Sequence, residues 1–533
     1  MIPDMKKKEY VILMLCTLIL SSCGKFLTEK SPTKYTIDYI YSTPEGLKMA
    51  VVALYNKDRL LFSDNTENST WSAFIRGTDL AVSNGGSGNF YGIYDPNYLK
   101  ASASQVDFLW KTMYSLIGSC NEIIAAGEGM EQSDDVKLCI AEAKCFRAKS
   151  YFHLFRVYDR IWLNTVPTTP ENLNKERIFY PASQKEVFDL IYDDLEYAIG
   201  VLPWVSYQEG RFNQAAARHL LAKAALWIKD WQTALDQVDD IEESKMYSLV
   251  EVDKVFAGAS INHSEALLVQ KWSSELGGNL STTTPKGHYL ATLFIALYRQ
   301  EIGGTAENAC SYENYGFTYG RCLPSPYLFS LYDQAKDKRY SSWYIHQYKN
   351  TTDKVITVGG KPVNPGEYLP SYNTQGELIR NLMRGCLKYA DIWTREPFEA
   401  RSCKDVIIYR LAETYIMGAE AALMLGNQTK AKYYYNKTWT RAGNSEFTGT
   451  LTLKNVIDEQ ARELAFEGDR WFFLKRRGIL IDQVKNYAGN PEYAPSILGR
   501  QNLPAHPYMI RWPIPESEII NMGAETFPQN PGY

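Results

Sequence analysis

Residues 406–441 constrain this chain more than any other stretch. Small and apolar side chains recur there at three- and four-residue intervals: Ala412, Tyr415, Ala419, Ala422 and Leu423. That spacing lays one buried face along a helix. Leu425-Gly426-Asn427 breaks the pattern. Gly426 suits the left-handed position that ends a helix. Asn427 suits the cap of a second helix running through Ala431, Tyr434 and Thr438. The whole segment therefore reads as helix from Val406 onward, folded back on itself as a hairpin. Residues 211–240 repeat it. Ala222, Ala224, Ala225, Leu226 and Ala234 align without gaps to Ala419, Ala421, Ala422, Leu423 and Ala431, five identities in thirteen positions, and Asp230 falls where Asn427 stands. Alanines at these positions let two backbones approach closely.

Such units are similar to tetratricopeptide-type hairpins, which stack into α-solenoids; two ordinary alanine-rich hairpins are the alternative. Thr43-Pro44 opens a helix to about residue 61, with Thr43 as N-cap and Pro44 at the first helical position. Further helices are expected at about 104–126, 134–158, 184–202, 231–243 and 453–475. Residues 62–100 lose periodicity and are rich in Asn, Gly and Ser. Residues 246–405 change character again. Residues 265–272 read as a strand and 357–370 as small hairpins, and 15 of the 78 residues in 271–348 are aromatic, against 13% for the chain. Residues 500–533 are Pro-rich and non-helical. The expected fold is mainly α: a helical body at about 43–245 and 406–478, interrupted by a loop-rich insertion at about 246–405 containing short strands.

The N-terminus reads as an export signal over residues 1–22. Lys6, Lys7 and Lys8 precede the apolar run 10–20, too short to span a bilayer. Leu20-Ser21-Ser22-Cys23 resembles a bacterial lipobox, in which Cys23 is acylated; a plain secretory signal is the alternative. The remainder, 23–533, then forms one body tethered to a membrane surface. A net charge of −4 and a pI of about 6.0 give no basic footprint for nucleic acid. Seven cysteines follow Cys23, an odd number that argues against a disulfide scaffold, with Cys310 and Cys322 as candidates for a single bridge.

Catalytic motifs are missing. The six histidines show no metal spacing and no HExxH, and there is neither GxSxG nor GxxxxGK. The expectation is no catalytic residue, no metal and no cofactor, although a carboxylate pair brought together by folding would be invisible at this level. Aromatic side chains remain. Flat rings stack on sugar faces or peptide side chains, and neighbouring polar groups read hydroxyls or backbone. Candidate ligand residues are Trp71, Arg76, Asp79 and Tyr91 in the first irregular stretch, and Trp272, Tyr289, Tyr315, Tyr319 and Trp343 in the insertion.

Taken in order, several motifs resemble the SusD/RagB-like outer-membrane nutrient-binding lipoproteins. They are Cys23-Gly24-Lys25-Phe26-Leu27, SCNEII around Asn121, AEAKCFRAKSYFHLFRVYD, GRFNQAAARHLLAKAALW, YRLAETYIMGAEAAL, ARELAFEGDRWFFLKRRG and the terminal WPIPESEIINMGAETFPQNPGY. The resemblance implies a right-handed bundle of tetratricopeptide-like hairpins whose variable insertion holds the ligand, with 500–533 as a docked tail. It further implies a non-catalytic protein at the outer membrane, facing the cell exterior. Such a protein captures an oligosaccharide and delivers it to a SusC-like TonB-dependent transporter barrel. A peptide-binding member and a tethered glycoside hydrolase are the alternatives. Outward-facing members often carry acids just after the lipid cysteine; here the first is Glu29. The charges of ARELAFEGDRWFFLKR, set among bulky apolar residues, read as buried pairs locking scaffold rather than as ligand contacts.

Overall fold

The computed structural model describes residues 37–63, 70–83, 92–169, 172, 177–275, 287–488 and 505–533; Cys23 and the export signal lie outside them. Helices dominate. The long ones are α1 (Pro44–Asp58), α2 (Thr70–Arg76), α3 (Ser104–Glu128), α4 (Asp134–Tyr158), α5 (Gln184–Val201), α6 (Gln214–Ile228), α7 (Trp231–Ser244), α8 (Leu411–Met424), α9 (Gln428–Arg441), α10 (Leu453–Leu464) and α11 (Arg470–Arg476). Several of their starts carry side-chain caps, those at Thr43, Asp230 and Asn427 as the sequence predicts. Thr43, Ser133, Asp230 and Asn427 each accept a backbone N–H from the first turn of the helix that follows. Among the described residues no helix is long and apolar enough to cross a membrane.

The helices stack as consecutive antiparallel neighbours. α3 packs on α4, α4 on α5, α5 on α6, α6 on α7, α7 on α8 and α8 on α9, while α1 covers α3 and α4. The two repeated hairpins are thus side by side. Their turns match atom for atom: the Asp230 N–H donates to the Ala225 carbonyl at 2.9 Å, and the Asn427 N–H to the equivalent Ala422 carbonyl at 2.8 Å. Gly426 takes φ +78°, as its position demands, whereas the first hairpin forces Lys229 to φ +65°. Ala222, Ala224, Ala225, Ala421 and Ala422 are fully buried. Gly418 lets α8 sit against Val238 of α7 and the Tyr434 ring of α9, since a Cβ there would fall 2.7 and 2.8 Å from them.

The tail expected to be non-helical contains a helix at Glu516–Met522, and two expected helices are also corrected. Residues 406–410 form a strand, β8 (Val406–Arg410), paired antiparallel with β2 (Ala266–Gln270); α8 begins only at Leu411. Val-Ile-Ile-Tyr is β-branched and aromatic, and its partner strand lies 140 residues upstream, outside any local window. The helix expected over 453–475 breaks between α10 and α11, where Phe466 (φ +68°) and Gly468 (φ +91°) turn the chain. The remaining strands are short: β1 (Ala81–Ser83) on β3 (Cys322–Pro324), β4 (Tyr344–Ile345) on β7 (Gly385–Cys386), and the expected hairpin of β5 (Ile356–Val358) and β6 (Lys361–Val363). Cys310 and Cys322 are both free thiols, which removes the candidate bridge.

The insertion has its own small core, built on Ile295, Tyr298, Leu323, Tyr348, Leu369 and Met383. It joins the helical body through apolar packing, with Phe294, Leu328, Phe329, Trp343 and Tyr389 in the main core, and through buried charge. Arg339, Lys388, Arg410, Arg441 and Arg462 interleave with Asp337, Glu265, Glu459, Glu463 and Glu467, as many acids as bases. Arg339, from the insertion, makes a fork on Asp337 at 2.9 and 2.7 Å and reaches Glu459 and Glu463 of α10 at 2.7 and 2.8 Å. Arg410, at the end of β8, meets Glu463 at 2.7 Å, Glu265 at 2.9 Å and both oxygens of Glu467. Burial is affordable here because every charge is paired and hydrogen-bonded. At the other end, the Asn530 amide donates to the Tyr158 and Trp512 carbonyls at 2.6 and 2.8 Å, seating the last residues on the end of α4.

Candidate functional site: an aromatic and arginine-lined face of the insertion

Residues 315–320 alternate Tyr, Gly, Phe, Thr, Tyr, Gly. Tyr315 (φ +63°) and Gly316 (φ +76°) make a left-handed turn; beyond it successive side chains point to opposite sides, with Phe317 and Tyr319 half-buried and Thr318 and Gly320 buried. The inward side is fixed by contacts too close for larger residues. Gly320 (φ +59°) lies against the backbone of Ala296 and Leu297, the Thr318 hydroxyl donates to the Ala296 carbonyl at 2.6 Å, and the Tyr319 N–H donates to the Thr292 carbonyl at 2.7 Å. Arg395 staples this segment to the next loop, donating to the carbonyls of Tyr315 (3.1 Å), Phe317 (3.3 Å) and Glu399 (2.8 Å). That loop carries Trp393 and Phe398, which are 48% and 39% exposed.

Tyr289 joins the face from a second segment. His288 and Ser402 exchange both backbone hydrogen bonds at 2.9 Å, and Gly287 packs so tightly on Ser402 that no side chain fits. This places the Tyr289 ring 6.4 Å from Tyr319, with Phe317 edge-on to Tyr319 at 5.2 Å. Each ring carries a guanidinium: Arg401 lies 4.8 Å from Tyr289, Arg299 4.4 Å from Phe317 and Arg321 5.5 Å from Tyr319. The result is a continuous aromatic surface edged with positive charge. Such a surface stacks on flat apolar faces and offers planar N–H donors beside them.

The structure divides the nine candidate residues. Tyr289 and Tyr319 come together on this face. Tyr315 is next to it in the chain but packs against the insertion's core. Trp343 and Trp272 are corrections, being 2% and 7% exposed. The Trp343 indole N–H donates to the Val252 carbonyl at 2.9 Å, and its ring faces Lys388 at 4.3 Å, inside the charge cluster. Trp272 donates to Gln270 at 3.1 Å and stands edge-on to His288, one layer beneath Tyr289. Asp79 and Arg76 are likewise buried. Asp79 is the two-oxygen partner of Arg470, at 2.9 and 2.6 Å, so it holds α11 rather than facing a ligand. Tyr91 and the side chain of Trp71 lie outside the described residues. Phe317, Arg299, Arg321 and Arg401 were missed; the alternation over 315–320 was the available signal for Phe317.

Two clefts of about 190 and 260 Å³ open elsewhere, on either side of the turn at 209–211 beside β2. Their charged linings are already matched, with Lys149 on Asp58 at 2.7 Å, Lys271 on Asp405 at 2.5 Å and Arg211 on Glu142 at 2.8 Å. Volume alone does not make them the better site.

Comparison with known proteins agrees with this architecture. The sequence model described as "SusD family" matches residues 300–533, and one described as "Starch-binding associating with outer membrane" matches residues 25–226. The chain belongs to the SusD/RagB-like family. Among its relatives, SusD-like protein P25 of Formosa agariphila is 24% identical, with 97% of each chain covered. A solved structure of a laminarin-binding SusD-like protein superposes with a TM-score of 0.68 at 22% identity, covering 92% of this chain and 99% of the other. Surface glycan-binding protein A of Bacteroides fluxus gives 0.68 at 20% identity, with 92% and 100% covered. The helical bundle with few, short strands is the fold of these structures.

Proposed function

We propose that this SusD-like protein captures an oligosaccharide on the Tyr289–Phe317–Tyr319 face and passes it, chemically unchanged, to a SusC-like TonB-dependent transporter. In this reading Cys23 carries the lipid that holds the protein at the outer membrane, facing outward. The observation that carries the proposal is the row of half-exposed rings on a rigid insertion, in a family whose solved members include laminarin-binding and surface glycan-binding proteins. Two buried devices, the Arg395 staple and the charge cluster, hold the rings before any ligand arrives, which lowers the ordering cost of binding.

The test is calorimetry of the detergent-solubilised full chain against neutral and acidic oligosaccharides, with product analysis on the same samples. Binding to a glycan class without bond cleavage, weakened in Tyr289→Ala and Tyr319→Ala, is expected. Binding unaffected by both substitutions would move the site elsewhere. Shortened products would replace the capture reading with a hydrolase.

A further inference from the structure

The cleft of about 190 Å³ beside β2 has a built interior. Its floor is aromatic: Tyr55 of α1 and Phe212 stand edge-on to Phe146 of α4 at 4.7 and 5.1 Å. The Tyr55 hydroxyl donates to Glu142 and accepts from the Phe212 N–H at 2.7 Å, so this floor is fixed without a ligand. Val52 and Gln208 are exposed at the mouth. The turn at 209–211 walls one side. Gly210 (φ +80°) is pressed so near β2 that a Cβ there would fall 2.6 Å from the Lys271 side chain and 3.1 Å from the Val269 carbonyl. The charges around the cleft balance. Lys149 meets Asp58 at 2.7 Å, Arg211 meets Glu142 at 2.8 Å, and Lys271 meets Asp405 and Glu209 at 2.5 and 3.1 Å. Arg59, over the Trp272 ring at 5.5 Å, is held in the field of Asp405. Four cations thus stand against four carboxylates. A charged ligand would compete for one partner of such a pair and leave the other unmatched in a buried setting, which is unfavourable. A hydroxyl disrupts none of them, because it donates to a carboxylate and accepts from a cation at once. One donor waits for it: the Nε–H of Arg211, a residue 8% exposed that lines the cleft, has no hydrogen-bond partner among the described residues. Size sets the occupant. A cavity of about 150 Å³ holds a benzene molecule, whereas drug-sized ligands take roughly 300 Å³ or more, so this one has room for a single substituted ring.

We infer that this cleft is a second binding site and takes one uncharged sugar ring, its C–H face on the Tyr55–Phe146–Phe212 floor and its hydroxyls among the paired charges. The inference rests on the cleft's own chemistry and is independent of the Tyr289–Tyr319 face. The ring is a free monosaccharide or the end of a longer glycan. The experiment is ligand-observed NMR with calorimetry on the detergent-solubilised full chain. Its probes are the methyl glycosides of glucose, galactose and xylose, with maltotriose and laminaritriose as chain ends and glucuronate and glucosamine as charged counterparts. At least one methyl glycoside should bind with a dissociation constant of about 1 mM, as a ligand this small allows. It should bind at least about tenfold tighter than either charged sugar, and equally in about 50 and 300 mM salt. Val52→Trp, which covers the mouth from an exposed helix position, should weaken that binding about tenfold, and Gln208→Ala several-fold. Val205→Trp, at the neighbouring cleft, should leave it unchanged. Melting curves confirm that each variant is folded. A trimer that competes with the methyl glycoside makes a chain end the occupant; competition by monomers alone makes it a free sugar. Binding that is indifferent to both Val52→Trp and Gln208→Ala, or is lost in Tyr319→Ala instead, would overturn the second site and leave capture on the Tyr289–Tyr319 face standing. Charged sugars that bind as tightly as neutral ones would overturn the uncharged assignment. Silence of all three methyl glycosides and both trimers would overturn the inference outright.

Discussion

Replacing Glu463 with glutamine tests whether the buried charge cluster fixes the insertion, and with it the ligand face, onto the helical body. Glu463 is fully buried and accepts from Arg339 at 2.8 Å, from Arg410 at 2.7 Å and from Arg441. Glutamine keeps the volume but deletes the charge and turns one acceptor oxygen into an amide donor facing a guanidinium. A neutral cluster becomes one with an excess positive charge in a dry interior. Breaking one side of such a pairing costs about 3–5 kcal/mol. Unfolding entropy is about 2 cal/mol/K per residue. A 533-residue chain unfolding as one unit should therefore melt about 4 °C lower at pH 7, read by differential scanning calorimetry. The pH dependence has a definite sign. Burial alone would raise the Glu463 carboxyl, but Arg441, Arg410 and Arg339 overcome it and hold the group well below the ordinary 4.5. A depressed folded-state pKa means the contribution is complete above 4.5 and is lost as pH falls below it. The variant's melting temperature should accordingly fall less steeply than the wild type's on acidification below that point. Adding Arg441→Met restores neutrality and should recover part of the loss, with a coupling of about 0.5–3 kcal/mol. A single variant that melts with the wild type, or a double variant that loses the sum of both singles, would refute the reasoning.

Other substitutions separate scaffold from site. Trp343→Ala should cost about 3–5 kcal/mol of stability by opening a cavity beside Lys388 and Phe256, seen as a lower melting temperature. Tyr319→Ala should leave melting within a degree or two and weaken glycan binding about tenfold in calorimetry. Gly418→Val drives a side chain into Val238 and the Tyr434 ring, and overpacking of about 1–3 kcal/mol should appear in urea denaturation. His288 is pulled down to about 4, first by its burial. Its neutral form supports the fold fully above 6.5, and on the order of 3 kcal/mol is lost as pH falls from 6.5 to 4. The His288 ring signal in an NMR titration should stay neutral down to about pH 4; titration near 6.5 would show that Trp272 and Tyr289 do not seal it.

The helical body was legible because its signals are local. Ala222 and Ala419 mark equivalent faces, Asp230 and Asn427 equivalent caps, and each needs only the residues within a turn or two to act. Residues 406–410 escaped for the opposite reason: their conformation is decided by pairing with 266–270, which periodicity in one segment cannot register. The nine candidate residues show the same division. Trp343, Tyr289 and Tyr319 share an aromatic-rich, irregular neighbourhood, and Trp272 stands at the end of the segment read as a strand. The difference between core and surface lay in distant partners: Lys388 and Arg410 over Trp343, and His288 against Trp272. Asp79 shows it most sharply, since Arg470, its partner, stands 391 residues away. Where a local rule did apply, over 317–320, small residues on every second position required the backbone to lie against something, and the rings between them had to face the other way. That argument places Phe317 and Tyr319 on one surface from sequence alone. It does not supply the guanidiniums of Arg299 and Arg401, which arrive from two other segments and add to the charge of the face.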